Sequence, residues 1–143
     1  MNYTIVLSFD TDGEVWGSCT VDGILIPTFA DDVAGVVANV RMMIEDFRQN
    51  EFKDSPNWQD VDVNAITFEF QYSLVDFFDA FSFLKIGEVA KAAKLNPALV
   101  RAYASGDKNP SLAQAQKIEE AAHRLAQSLL AARIVPTTVR QAA

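Results

Sequence analysis

Cysteine and histidine are almost missing from this chain: 143 residues include one of each, Cys19 and His123. A single thiol permits no internal disulfide and suits a reducing compartment. A His/Cys zinc site would need carboxylates to complete it, so no metal and no cofactor is expected. Long apolar runs are missing as well. No stretch approaches the length a bilayer demands, so no membrane-spanning helix is predicted. The opening Met-Asn-Tyr-Thr-Ile has no basic segment ahead of an apolar core, so a secretory leader is not expected and a cytoplasmic location is. Half the residues are apolar, above the range of disordered chains, and the length suits one domain or two small ones.

Positive charge is scarce in the first part only. Residues 1–84 hold 15 acidic and 3 basic side chains, a net of −12, and residues 85–143 hold 4 and 9, a net of +5, which together make −7. A whole-chain pI near 4.6 argues against nucleic acid, yet the second part carries the positive field that a phosphate backbone attracts. The first part would repel one.

Residues 3–9, YTIVLSF, are β-branched and aromatic and end at Asp10-Thr11-Asp12-Gly13. Asp-Gly between apolar runs predicts a hairpin, because Gly accepts the positive φ of a tight turn. A second strand follows over 14–21, a second Asp-Gly turn at Asp22-Gly23, and a third strand over 24–29. Pro27 suits that strand to a sheet edge. Asp31 or Asp32 can N-cap a helix whose apolar positions run Val33, Val36, Val37, Val40, Ile44 and Phe47, one face at helical spacing. After a polar stretch, 49–64, residues 66–72 alternate apolar and polar, the mark of a half-buried fourth strand. Residues 1–72 therefore read as an acidic α+β domain of order βββαβ. Its acidic run at 45–62 would serve as a solvated surface or as an attraction for a basic partner.

From Ser73 the pattern is helical, and 73–135 read as an all-α domain. Phe77, Phe78, Phe81 and Leu84 form a helix face, and the aromatic cluster at 77, 78, 81 and 83 is expected in the core. Ile86, Val89, Ala90 and Ala93 form the next helix face. Asn96 caps a third helix with Pro97 in its first turn. A last helix spans about 111–133, and 136–143 read as a flexible tail.

Within this region Lys85–Ser111, KIGEVAKAAKLNPALVRAYASGDKNPS, has the layout of a helix-turn-helix. Ala90 suits the close crossing of two helices, Leu95 the buried residue leaving the turn, and Val100 and Tyr103 the inward positions of the second helix. The turn position that favours glycine in a left-handed conformation is Lys94, a departure costing about 1 kcal/mol. Outward positions of the second helix are Asn96, Ala98, Leu99, Arg101, Ala102 and Ser105. Arg101 could fork onto a guanine edge, and Leu99 and the alanines could meet thymine methyls. Lys91, Lys94 and Lys108 stand where phosphates would pass, and would position rather than specify. A helical hairpin that only packs would show much of the same pattern; spacing, capping and charge reversal together favour DNA contact. Leu125 and Leu129 of the long last helix are expected to face a second copy, since dimers matched to half-sites are the rule for such units.

The segment 81–135 resembles the helix-turn-helix of phage-repressor-like (Cro/C1, or XRE) regulators. LNPALVRAYASGDKNPS is similar to the form found in HicB-like antitoxins with this kind of DNA-binding domain. The βββαβ order also resembles the HicB domain, a degenerate RNase H-like fold. The Pro-Gly-Cys stretch and Gly-Thr pair frequent ahead of the HicB helix are not in the corresponding DGILIPTFADD. The resemblance implies an antitoxin and autorepressor, binding operator DNA through the second domain. The first domain would mask a small basic RNA-cleaving toxin of the HicA kind. The alternative is a stand-alone repressor whose first domain senses a ligand or assembles the oligomer.

No catalytic constellation stands out, and the chain is read as a non-enzyme. Asp10, Asp12 and Glu14 crowd one hairpin, but Asp favours turns for backbone reasons, and the closing glutamate of an EF-hand is absent. Cys19 reads as a small buried hydrophobe, and His123 as a residue of the last helix that faces solvent or a neighbouring helix. An apolar patch around Trp16 or Trp58 is expected to accompany the acidic charge in any protein contact.

Overall fold

The computed structural model describes residues 1–136, and the predicted tail from 136 onward lies, except for Pro136, outside the described residues. The first compact unit is Met1–Phe77, the second begins at Phe78. The division thus falls inside a helix, five residues beyond the 72/73 boundary read from the sequence.

The first unit is a four-stranded mixed sheet with one long helix. Strands β1 (Asn2–Phe9), β2 (Val15–Val21) and β3 (Ile24–Ala30) form an antiparallel meander, and β4 (Thr67–Gln71) pairs parallel with β1, in the order β3-β2-β1-β4. This is the βββαβ order expected, with β3 on the edge. Both Asp-Gly turns form. Asp22 and Gly23 have φ of 48° and 84°, the paired positive values of a two-residue type I′ hairpin. In the first turn the Gly13 amide donates to Asp10 O at 3.1 Å, and Gly13 has φ 88°.

Helix α1 (Val33–Gln49) starts at Asp32, whose carboxylate accepts the Gly35 amide at 2.7 Å. Val36, Val40, Ile44 and Phe47 are buried against the sheet row of Ile5, Cys19 and Ile26. Each such burial contributes roughly 1.5–3 kcal/mol. The helix comes closest at Gly17, where an added Cβ would lie 2.5 Å from Val36 Cγ1, so only glycine lets the layers meet at this spacing.

The stretch 49–64 differs from its polar reading. Two short 3-10 turns, Pro56–Trp58 and Val63–Ala65, drive apolar side chains into the core. Trp58 is 1% exposed, stacks on Tyr3 and Phe52, and donates its indole N–H to Asp22 at 2.7 Å. Trp58 is therefore no contact residue for a partner. Isolated apolar residues in a polar run carry no period, which is why the pattern does not announce them.

Helix α2 (Leu74–Ala80) spans the division. It ends before Phe81, and a turn closed by Leu84 N–H to Phe81 O at 2.9 Å follows. Phe78 is buried, while Phe83 is 74% exposed, so the expected core role fails for Phe83. Once the helix stops, helical spacing no longer carries residues 81–84 to the same face. The second unit continues with α3 (Ile86–Ala92), α4 (Pro97–Ser105) and α5 (Leu112–Ala131), and α3 packs against both α4 and α5. Its buried side chains include Val89, Ala90, Val100, Tyr103, Ile118 and Ala121.

Candidate nucleic-acid interface

The turn between α3 and α4 is a Schellman closure. The Leu95 amide donates to Ala90 O at 2.9 Å and the Lys94 amide to Lys91 O at 3.1 Å, which satisfies carbonyls that the ending helix leaves orphaned. Lys94 has φ 58°, so the residue where glycine is favoured does adopt the left-handed conformation. Ala90 is fully buried at this crossing. From the opposite side Arg124 of α5 donates Nη2 to Ala92 O at 2.7 Å, placing a cation on the negative end of α3.

Helix α4 starts at Asn96, whose side-chain oxygen accepts the Ala98 amide at 2.9 Å, with Pro97 in the first turn. It ends at Gly106, φ 85°. Val100 and Tyr103 are buried on its inner side, as their positions predict. Asn96, Ala98, Arg101 and Ser105 are exposed, whereas Leu99 and Ala102 are half-buried. The latter two are thus shared between packing and surface. Arg101 leans toward the start of α3, where its Nη2 would lie 3.4 Å from a Cβ on Gly87. Ser105 is already engaged, its hydroxyl 3.1 Å from Ala102 O and 3.0 Å from the Asp107 carboxylate. With Asn96 committed as a cap, Arg101 is the outward side chain best equipped to recognise a base edge.

Lys91, Lys94 and Lys108 are exposed. Among the described residues the single ion pair is Arg48–Glu45 in the first unit. The helix-turn-helix cations are therefore not neutralised internally. Two carboxylates, Glu88 and Asp107, stand at the margins of the same segment against five cations. Arg124, by contrast, is spent on α3, a role that sequence spacing does not reveal because it depends on how α5 packs.

The buried part of α5 ends at Ala122. Beyond it Leu125 is half-buried, and Leu129 and Leu130 are 70% and 77% exposed. Leu130 was not singled out by the sequence pattern, which follows one helix face only.

In the first unit Cys19 is buried, and burial pushes its thiol up. His123 is an exposed residue of the second unit. Among the described residues no group of three or more His, Cys, Asp and Glu side chains could hold a metal ion, and no helix is long and apolar enough to cross a membrane. A groove of about 320 Å³ beside α1 is lined by Arg41 and Arg48. Arg41 donates to Val63 O at 2.7 Å and lies over the Phe68 ring, and Arg48 holds Glu45. Both guanidinium groups are thus engaged within the unit.

Comparison with protein-family models, curated proteins and solved structures finds no match.

Proposed function

We propose that this chain is a HicB-like antitoxin and transcriptional autorepressor. The observation that carries the reading is the α3–α4 hairpin. Its Schellman turn holds Lys94 left-handed, α4 offers an exposed Arg101, and Lys91, Lys94 and Lys108 of the same segment are exposed and engaged in no ion pair among the described residues. Lysines on this perimeter suit phosphates, and an arginine on the outward helix suits a guanine edge. The exposed end of α5, with Leu125, Leu129 and Leu130, suits a homodimer that spaces two such helices along an operator. The βββαβ unit, with its acidic excess, suits a small basic toxin of the HicA kind in the cytoplasm. The resemblance of its βββαβ order to the degenerate RNase H-like arrangement of HicB domains supports that role.

The test has two arms. Gel shifts with the chain's own upstream region should show binding that weakens steeply with salt, because released counterions drive it. Coexpression should relieve the toxicity of the protein encoded by the neighbouring reading frame. DNA binding without any neutralisation would leave a stand-alone repressor, and absence of both would remove the whole reading.

A further inference from the structure

Helix α1 covers one face of the sheet, and the opposite face presents apolar side chains to water. In the register of the meander, Ser8 lies beside Trp16 and Phe29, Val6 beside Ser18 and Pro27, and Thr20 beside Leu25. Successive side chains alternate faces, so these rows point away from the Ile5–Cys19–Ile26 row under α1. Leu25 is 61% exposed and Phe29 53%. The rings of Trp16 and Phe29 lie 4.9 Å apart, so the largest side chains of the face already form one contiguous surface. Contiguous apolar surface of this kind marks an interaction site.

Charge decides what kind of partner fits. No Lys or Arg occurs in any of the four strands or in the turns joining the meander. The cations of the unit, Arg41, Arg48 and Lys53, belong to α1 and the segment after it. At the end of the sheet where Phe9, Val15 and Ala30 stand in register, beside Trp16 and Phe29, the chain places Asp10, Asp12, Glu14 and Asp31. A second copy would set these carboxylates against themselves, and like charges across an interface are unfavourable. Strand addition at β3 is also impeded. Pro27 has no N–H to offer, and Asn39 of α1 already donates to Phe29 O at 3.0 Å. These features favour the face over the β3 edge as a docking surface.

We propose that this open sheet face, centred on Trp16 and Phe29 and bordered by the Asp10–Glu14 hairpin and Asp31, is where the first unit holds a basic protein. The partner would bring an apolar side chain onto Trp16 and Phe29 and lysines or arginines to the surrounding carboxylates. The inference rests on the reading of this unit as the holder of a basic toxin, and adds the surface.

The probe is the protein encoded by the neighbouring reading frame, copurified with the full chain. Hydroxyl-radical footprinting of the unmodified chain should label Trp16 when free and leave it protected in the complex, with Met42 on α1 labelled in both. The double variant Trp16→Ser, Phe29→Ser should weaken binding by about 30-fold or more, the scale of an interface hot spot, while Met42→Ser leaves it near wild type. A complex in which Trp16 stays fully labelled overturns the surface but spares the antitoxin reading. Protection of Trp16 in the chain alone as its concentration rises assigns the face to a second copy and also overturns it. No complex at all removes both.

Discussion

The Leu95 amide meets the Ala90 carbonyl at 2.9 Å, and this single bond draws the start of α4 back onto the last turn of α3. It can form only because Lys94, between them, adopts φ 58°. A side chain in that conformation costs about 1 kcal/mol, so the turn retains a lysine at a place where glycine would be more stable. Lys94→Gly should therefore stabilise the chain by roughly 0.5–1 kcal/mol. The same change should weaken DNA binding and lower the salt slope by about one released counterion. Denaturant titration and binding isotherms across salt concentrations check the two opposite effects. A variant that gains stability with an unchanged salt slope would remove Lys94 from the interface.

Arg101 and Lys108 should behave differently from one another. Arg101→Ala should cost about 1–3 kcal/mol on the chain's own operator and blur the preference for it over unrelated DNA. Lys108→Ala should weaken both DNAs alike. Competition binding with operator and random duplexes separates these outcomes, and equal loss on both DNAs for Arg101→Ala would demote it to a phosphate contact.

The end of α5 should hold two copies together. Replacing Leu129 and Leu130 with glutamate should yield a folded monomer, since both side chains are exposed in the single chain and their loss leaves no cavity. Operator affinity should fall with the dimer, because two half-sites must be engaged together. Light scattering reports the first effect and gel shifts the second. A variant that remains dimeric places the interface elsewhere.

Alkaline pH should destabilise the first unit. Burial pushes the Cys19 thiol above its ordinary 9.0 and the Tyr72 hydroxyl above 10.0. Tyr3 is raised first by burial and then by the nearby Asp22 charge. The folded chain therefore holds these protons more tightly than the unfolded chain. Their stabilisation is complete below about pH 9 and is lost as pH rises through the folded-state values. Urea unfolding at about pH 8 and about pH 10.5 should show the fall, and Cys19→Ala should make it shallower. A profile equally steep in that variant would assign the effect to the tyrosines alone.

Much of the architecture was legible from residues alone, because local rules act over short spans. Asp22-Gly23 could close only a tight hairpin, Asp31 or Asp32 could cap the first helix and Asn96 a later one, and the Val36–Val40–Ile44 spacing allowed one buried helix face. The inward Val100 and Tyr103, and the left-handed Lys94, also followed from spacing. What needed the tertiary structure was every relation between segments distant in sequence. Trp58 sits in a polar run, and only its approach to Asp22, 36 residues away, shows that it is core. Trp16 belongs to a strand like any other, and only the position of α1 reveals that its face is the uncovered one. Arg124 counts as a surface cation in composition, yet the packing of α5 on α3 turns it into a helix cap. Periodicity records which side of an element is apolar; which side is covered depends on what the rest of the chain brings against it.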